Sequence, residues 1–585
     1  MKFRYIKLLM LVSGIVAISS CKKMMDINKD PDRLPTEGNR PYPQLLTSAQ
    51  VNLGFEGGSD LFRYATLIMQ QMSGGASQPN QTYEYYRHNI TGSDINNVWS
   101  SIFATTLSDL ELIIKQGSTL GSISPYYTGI AKILKAYEYS LVVDVWGDVP
   151  YSEAQKLTDN IKPVYDDDAT IYPKLITLLA EAVSELNAPS SLLTPGSNSV
   201  IYTGTYSTIK TNWIKLANTL RLRLLLHYSK KDPTFCVQQI TALINAGGPF
   251  MTSNADNFKL NFYDVANQRN AISAFEVSRP GYLYADRFMT EKMDAKSDPR
   301  RPFYFAIFPF DFAAFNRTTN AISSGNSLTF ASTSTGITTG MTVVAVGIPS
   351  YTIVKSVAVN TTSGITTITV NDDESPGFSI ASIPSGTSIT FQPAYRGAAA
   401  TKPPITANGN YSRIHTFLRG AVTNGATAPA GYTGLVQPFT YTGAAPQRMF
   451  SFAEYNFIRA EAALMGAPGD AQTFFTAGII ASMEEAGVAA VDITNYITAN
   501  GTLNGTNAQK LRQIIEEKYI ASFGVSVEPW NDWKRTGYPV LPLPSNSITG
   551  AIPRTLFYAQ TELDLNPNNP GQKASNLQSS VFWDN

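Results

Sequence analysis

Two cysteines and three histidines stand in 585 residues, and the charges cancel to a net of zero with only 15% of residues charged. The scarcity of cysteine removes a disulfide framework: Cys21 lies at the end of a short apolar leader, and Cys236, in the apolar helical stretch TFCVQQITALI, has no partner. A chain of this kind depends on its hydrophobic core, and its length is ample to build one. His88, His227 and His415 are far apart, and none has a metal-ligand spacing around it. The zero net charge lacks the basic field that neutralises phosphates, which excludes a nucleic-acid partner. No G-x-S-x-G elbow, H-E-x-x-H, C-x-x-C or phosphate-binding glycine loop occurs, so the chain carries no enzyme or cofactor signature. A glycosidase carboxylate pair leaves no local pattern, because its partners are distant in sequence; the composition gives no sign of one. Beyond the leader, no apolar run reaches the about 20 residues that cross a bilayer.

What is present begins with that leader. Lys2, Arg4 and Lys7 precede an apolar core from Leu8 to Ile18, followed by Ser19, Ser20 and Cys21. A positive n-region, an apolar h-region of about 7–15 residues and small residues before the cut make an export signal. Cleavage before Cys21 predicts a signal peptide over 1–20, with the Cys21 thiol as the lipidation site. Each buried CH₂ of an acyl chain contributes about 0.8 kcal/mol, and a stable hold takes more than one chain. Residues 21–43 read as a polar, proline-punctuated tether. Within it Asp26, Asn28, Asp30, Asp32 and Glu37 match the spacing of a calcium loop, but Pro31 stands where that loop requires glycine. The stretch reads as a solvated leader, and no metal is expected.

The remainder, 44–585, is patterned as helices. Ile95, Val98, Trp99, Ile102, Phe103, Leu110, Ile113 and Ile114 recur at spacings of three and four, with Asp94 as N-cap and Gly117 as stop. Ile130, Ile133, Leu134, Tyr137 and Leu141 form the face of a partner helix. Similar segments cover about 168–188, 207–229, 449–466, 471–487 and 507–523. Neighbouring helices joined by short polar turns predict a mainly α fold of irregular stacked helical hairpins, tetratricopeptide-like but without a strict 34-residue period. One stretch departs from this: over 318–393 the runs MTVVAV, YTIVKSVAV and ITTITV alternate between Gly, Pro and Asn turns. That predicts a small all-β module inserted in the helical body, either an accessory contact module or, as its bland composition favours, a decoration.

The segment LVVDVWGDVPYSEA (141–154) closes a helix and turns at Gly147 and Pro150. Asp144 and Asp148 are spaced like an acid/base pair, but capping or turn bonding accounts for both. This segment resembles the D-x-Y/W-G-D-V-P-Y-x-E-A signature of SusD/RagB-family outer-membrane lipoproteins of Bacteroidetes. In the same order along the chain, CKKMMDINKDPD, TNWIKLANTLRLRLLLH (211–227), TSNADNFKL (252–260), FAEYNFIRAEAALMG (452–466), VEPWNDWKRTGYPVL (527–541) and IPRTLFYAQTELDLN (552–566) resemble further family motifs. Lys534 and Thr555 stand where arginine is more usual, and the 318–393 module is not part of the family pattern. Physically these motifs read as scaffold. Glu454 and Glu461 lie two turns apart on a largely apolar helix and need partners; Trp213, Asn218, Arg221 and Arg223 on one helix, and Glu528, Trp530, Asp532, Trp533 and Arg535 on another, can tie the helices together.

Candidate ligand contacts come instead from aromatic side chains in polar loops. NQTYEYYRHN (80–89) offers Tyr83, Tyr85, Tyr86 and Arg87, and SRPGYLYADRF (278–288) offers Tyr282, Tyr284, Asp286 and Arg287. Sugar rings stack their C–H faces on aromatic planes, and their hydroxyls take amide, carboxylate or guanidinium partners; aromatics lose little rotamer entropy in doing so. The resemblance implies a non-enzymatic protein of the outer cell surface that captures a nutrient, mostly glycan and in some members peptide. It also implies delivery of that nutrient to a SusC-like TonB-dependent barrel, with no cofactor. A surface hydrolase and a purely structural partner of the barrel are the alternatives from other classes.

Overall fold

The computed structural model describes residues 41–75, 81–156, 159–308, 314–331, 336–372, 378–400, 411–424 and 439–585. The signal, Cys21, the calcium-like spacing and nearly all of the tether lie outside the described residues.

The first long helix, Tyr42–Gly57, packs beside Leu107–Gly117, which in turn packs against Pro125–Trp146. Proline at the first turn of Pro125–Trp146 removes a backbone donor that would have no partner there. Gly147, at φ +74°, ends the helix in a conformation that a side chain would strain. The Pro125–Trp146 helix is buried almost all round, and Asp168–Leu186 pairs with it as a hairpin before Tyr206–His227 follows. A second hairpin pairs Phe452–Leu464 with Ala471–Ala486, capped by Asp470 at its second start and stopped by left-handed Gly487. Asn507–Ala521, opened by a Thr506–Gln509 capping box, packs on both helices of that hairpin. The predicted stack of irregular helical pairs is what the chain forms.

The expected single helix from Ile95 to Gly117 is two α-helices, Gly92–Ser100 and Leu107–Gly117, joined by a π-helical turn over Ser101–Thr106. Its N-cap is Thr91; Asp94 sits one turn in and accepts from the Thr91 N–H at 2.8 Å. The physical reason for the π-turn is visible at its ends. The Ser101 and Thr106 hydroxyls both donate to Oε1 of buried Glu56, at 2.5 and 2.9 Å, so the backbone widens to bring both inward.

A buried charge network ties the helices together. Arg223 donates to both oxygens of Glu454 at 2.7 and 2.8 Å, Arg535 pairs with Glu461 and Asp532, and Lys518 bridges Glu528 and Asp532 at 2.8 and 2.9 Å. Asp144 is neither a cap nor an acid/base partner of Asp148. It is wholly enclosed and accepts from Tyr172 Oη, Asn531 Nδ2 and Trp583 Nε1 at 2.8, 2.8 and 3.0 Å, joining four segments. Lys534, in the place where arginine is usual, donates to the Asp144 carbonyl at 2.6 Å and lies over the Trp530 ring. Thr555 is buried, and its hydroxyl has no hydrogen-bond partner among the described residues.

The inserted module carries strands from Phe315 to Gln392. Six form one antiparallel sheet in the order Phe315–Thr318, Ser388–Gln392, Thr342–Val344, Ile353–Asn360, Ile365–Asn371, Ser327–Ala331. Ser323–Gly325 and Ile380–Ile383 pair separately. Its inward residues, among them Leu328, Phe330, Val354, Ile368, Ile389 and Phe391, make a core distinct from that of the helical body. Phe308 and Ala394 exchange both backbone hydrogen bonds at 2.9 Å, so the chain leaves and re-enters the body at one place.

Candidate functional site

The two tyrosine-bearing segments meet. Met72–Gly74 pairs antiparallel with Leu283–Ala285, and the Thr82 hydroxyl donates to the Tyr282 carbonyl at 2.6 Å. Tyr86 Oη donates to Asp286 Oδ2 at 2.7 Å, and Asp286 Oδ1 caps the following helix, Arg287–Ala295, by accepting from the Phe288 N–H. The first segment is not a polar loop: Gln81–Tyr86 is a short helix with Tyr83, Tyr85 and Tyr86 turned inward. Tyr85 Oη donates to Asp94 at 2.8 Å and Asn546 donates to Tyr83 Oη. Tyr282 packs edge-on to Phe275, and Tyr284 lies under the Arg413 guanidinium at 4.1 Å. Tyr83, Tyr85, Tyr86, Tyr282, Tyr284 and Asp286 are therefore buried; the Tyr86–Asp286 bond joins the two segments, and the other rings and hydroxyls meet neighbouring elements. Arg87, paired with Glu84 at 2.9 Å, and Arg287 are the two that reach towards solvent.

Arg287 leads into a groove of about 600 Å³ between the helical body and the inserted module. Its Nε donates to Glu291 at 2.7 Å, and its guanidinium covers the Tyr351 ring at 4.3 Å. From the body, Glu291 and Asp294 stand one turn apart on Arg287–Ala295, and Arg301 opens the next helix. From the module and its exit come Tyr351, Gln392 and Tyr395. Arg301 lies 5.3 Å from the Tyr395 ring centre and pairs with Asp294. Two tyrosine faces, each backed by an arginine, thus share one cleft with two carboxylates and an amide. Burial raises the Asp294 carboxyl above its ordinary range, with Arg301 opposing, and burial likewise raises the Tyr351 and Tyr395 hydroxyls, which stay protonated. Tyr351 adopts φ +64°, a left-handed conformation that a bulky residue enters only under constraint. The Thr352 hydroxyl, donating to the Pro349 carbonyl at 2.6 Å, closes the turn that imposes it.

This arrangement can stack a flat, partly apolar ring and bond its hydroxyls. A larger cavity of about 810 Å³, beside Lys230, Gln238, Leu464, Met465 and Arg535, has no aromatic side chain in its lining among the described residues. The histidines do not gather. His88 and His415 are each pushed down to about 4 by burial, and His227 is enclosed against Tyr172 and Glu528. Among the described residues, no group of three or more His, Cys, Asp or Glu is placed to hold a metal ion. Sequence reasoning missed Tyr351, Tyr395, Glu291, Asp294, Arg301 and Gln392. The signal available was IPSYT, in a turn inside the stretch read as decoration, and QPAYRG at its end, each with a tyrosine two residues after a proline.

A family profile, SusD-like and described as starch-binding and associating with the outer membrane, matches residues 35–347 and 403–559. Among solved structures, a SusD homolog from Bacteroides fragilis superposes with a TM-score of 0.62 at 20% identity, covering 90% of this chain and 94% of its own. A SusD/RagB family protein from Bacteroides thetaiotaomicron gives a TM-score of 0.61 at 18% identity, with 93% and 99% covered. A chitin-binding SusD homolog from Flavobacterium johnsoniae gives 0.60 at 18%, with 93% and 98% covered. No curated protein matches.

Proposed function

Because this chain belongs to the SusD-like family, described as starch-binding and associating with the outer membrane, we propose that it captures an oligosaccharide at the cell surface. It then hands the ligand, unaltered, to a SusC-like TonB-dependent barrel. In this reading the body is a lipoprotein held by acyl chains on Cys21. The observation that carries the ligand class is the groove itself: the Tyr351 and Tyr395 faces, with Glu291, Asp294, Arg301 and Gln392 around them, supply stacking planes and hydroxyl partners together. Arg287 borders this groove through its contact with the Tyr351 ring. Tyr86 and Asp286 support it by fixing the start of the Arg287–Ala295 helix, and the Thr82–Tyr282 bond ties the segment of Tyr83, Tyr85 and Arg87 to that of Tyr282 and Tyr284.

The test is isothermal titration of the chain from Lys22 onward against starch-type, chitin-type and other oligosaccharides and a peptide panel, with product analysis alongside. Saturable binding of a glycan without cleavage is expected. Tyr395→Ala and Tyr351→Asn, the latter chosen because asparagine tolerates the left-handed backbone, should each weaken it about tenfold. Gln238→Ala in the other cavity should leave it unchanged. Undiminished binding by both tyrosine variants would remove the groove from the site, selective binding of peptides would move the ligand class, and product release would make the protein a hydrolase.

A further inference from the structure

Two neighbouring loops at one end of the helical stack present bare aliphatic side chains. Leu120 is 90% exposed, Ile123 52%, Leu192 63% and Leu193 41%. The loops touch, since the Leu192 N–H donates to the Ile123 carbonyl at 3.0 Å. No charged residue occurs between Lys115 and Lys132, or between Glu185 and Lys210. Scattered exposed aliphatic side chains are ordinary, but four on two touching loops without charge are not.

The first described helix, Tyr42–Gly57, begins at this surface. Tyr42 Oη donates to the Ser122 carbonyl at 3.3 Å, and Thr47 Oγ1 and Gln50 Nε2 donate to the Asn198 carbonyl at 3.0 and 3.1 Å. The described residues therefore begin beside the bare loops, and the stretch that joins them to Cys21 is about 20 residues long. At roughly 3.5 Å per residue it spans at most about 70 Å, long enough that acylation alone sets no orientation. Aliphatic tips free of charge enter the boundary between lipid headgroups and acyl chains without desolvating an ion. A protein interface of this size would be expected to centre on aromatic or arginine anchors, and the tips carry neither.

We propose that the loops around Leu120–Ile123 and Leu192–Leu193 rest on the lipid surface to which the chain is tethered, fixing which face of the body points away from the membrane. This rests on the reading of Cys21 as the acylated residue.

The test places an environment-sensitive fluorophore on Leu120→Cys or Leu193→Cys in the acylated full-length chain, bound to phosphatidylethanolamine–phosphatidylglycerol vesicles. Cys236 is fully buried, and burial pushes its thiol up to about 12, so the label goes to the introduced site. A several-fold rise in emission, quenched by spin-labelled lipid, is expected at both positions, with no change for a label on Val346→Cys, which is 94% exposed in the inserted module. Unchanged emission at both loop positions overturns the proposal, as does an equal rise at Val346. A change that appears only when the purified barrel is added also overturns it and assigns the loops to the protein partner. Intact mass reports acylation separately, and the same labels on a chain held to nickel-chelating vesicles by an N-terminal hexahistidine tag read the loop contact without any acyl chain. Failure of the anchor and failure of the loop contact are thus distinct results.

Discussion

Glu517 has no solvent contact and three partners: Lys296 Nζ at 2.8 Å, the Arg300 guanidinium, and Tyr496 Oη at 3.0 Å. Burial alone would raise its carboxyl, but Lys296 and Arg300 hold it down to about 2 from an ordinary 4.5. A carboxylate with a folded value below its unfolded one stabilises the protein above the unfolded value and loses that contribution as pH falls through the folded one. Glu517→Gln should therefore lower stability at pH 7 by about 3 kcal/mol, by removing one of the two carboxylates that neutralise buried Arg300 (Asp298 is the other), and flatten the fall in melting temperature between about pH 4.5 and 2. Thermal unfolding of both proteins across that range checks it; parallel acid limbs would refute the assignment. At this scale the sequence was partly legible. Glu454 and Glu461 declared their need for cations because carboxylates on an apolar helix require partners, and Arg223 and Arg535 answer them. Asp144 was not legible as a hub, because Tyr172, Asn531 and Trp583 lie 28, 387 and 439 positions away.

Elements were legible wherever local period decided them. The helical hairpins follow three-and-four spacing, and the strands of the module follow alternation, as in Ile365–Asn371, where Thr366, Ile368 and Val370 turn inward. The π-turn at Ser101–Thr106 escaped because its cause, Glu56, belongs to another helix. The groove escaped for a related reason. Neither wall is a site alone, and the Arg287–Tyr351 and Arg301–Tyr395 contacts join residues that no local pattern connects. The module and the body have separate apolar cores, which leads to an expectation about melting. Scanning calorimetry should show two transitions, and Ile368→Ala should lower only the module's, by about 3 kcal/mol. A single transition that moves as a whole in this variant would show the two cores to be coupled.

Over the whole molecule the charges sum to zero, and among the groove's lining residues the carboxylates Glu291 and Asp294 balance Arg301 and Arg396, with Arg301 paired to Asp294. Such a surface offers no long-range field to draw a charged ligand. Binding of a neutral glycan should change less than about twofold between low and high salt, since screening acts on unpaired exposed charge. Titration at several ionic strengths measures this, and a steep loss of affinity with salt would identify an anionic ligand instead.

The paired backbone bonds of Phe308 and Ala394 make the base of the module a single doorway. Recombination can exchange what lies beyond that doorway while the helical stack behind it keeps its own core, and each exchange replaces one wall of the cleft while the other is inherited. A lineage carrying this body could change its diet by trading modules, and a protein engineer could graft a foreign β-sandwich at the same threshold.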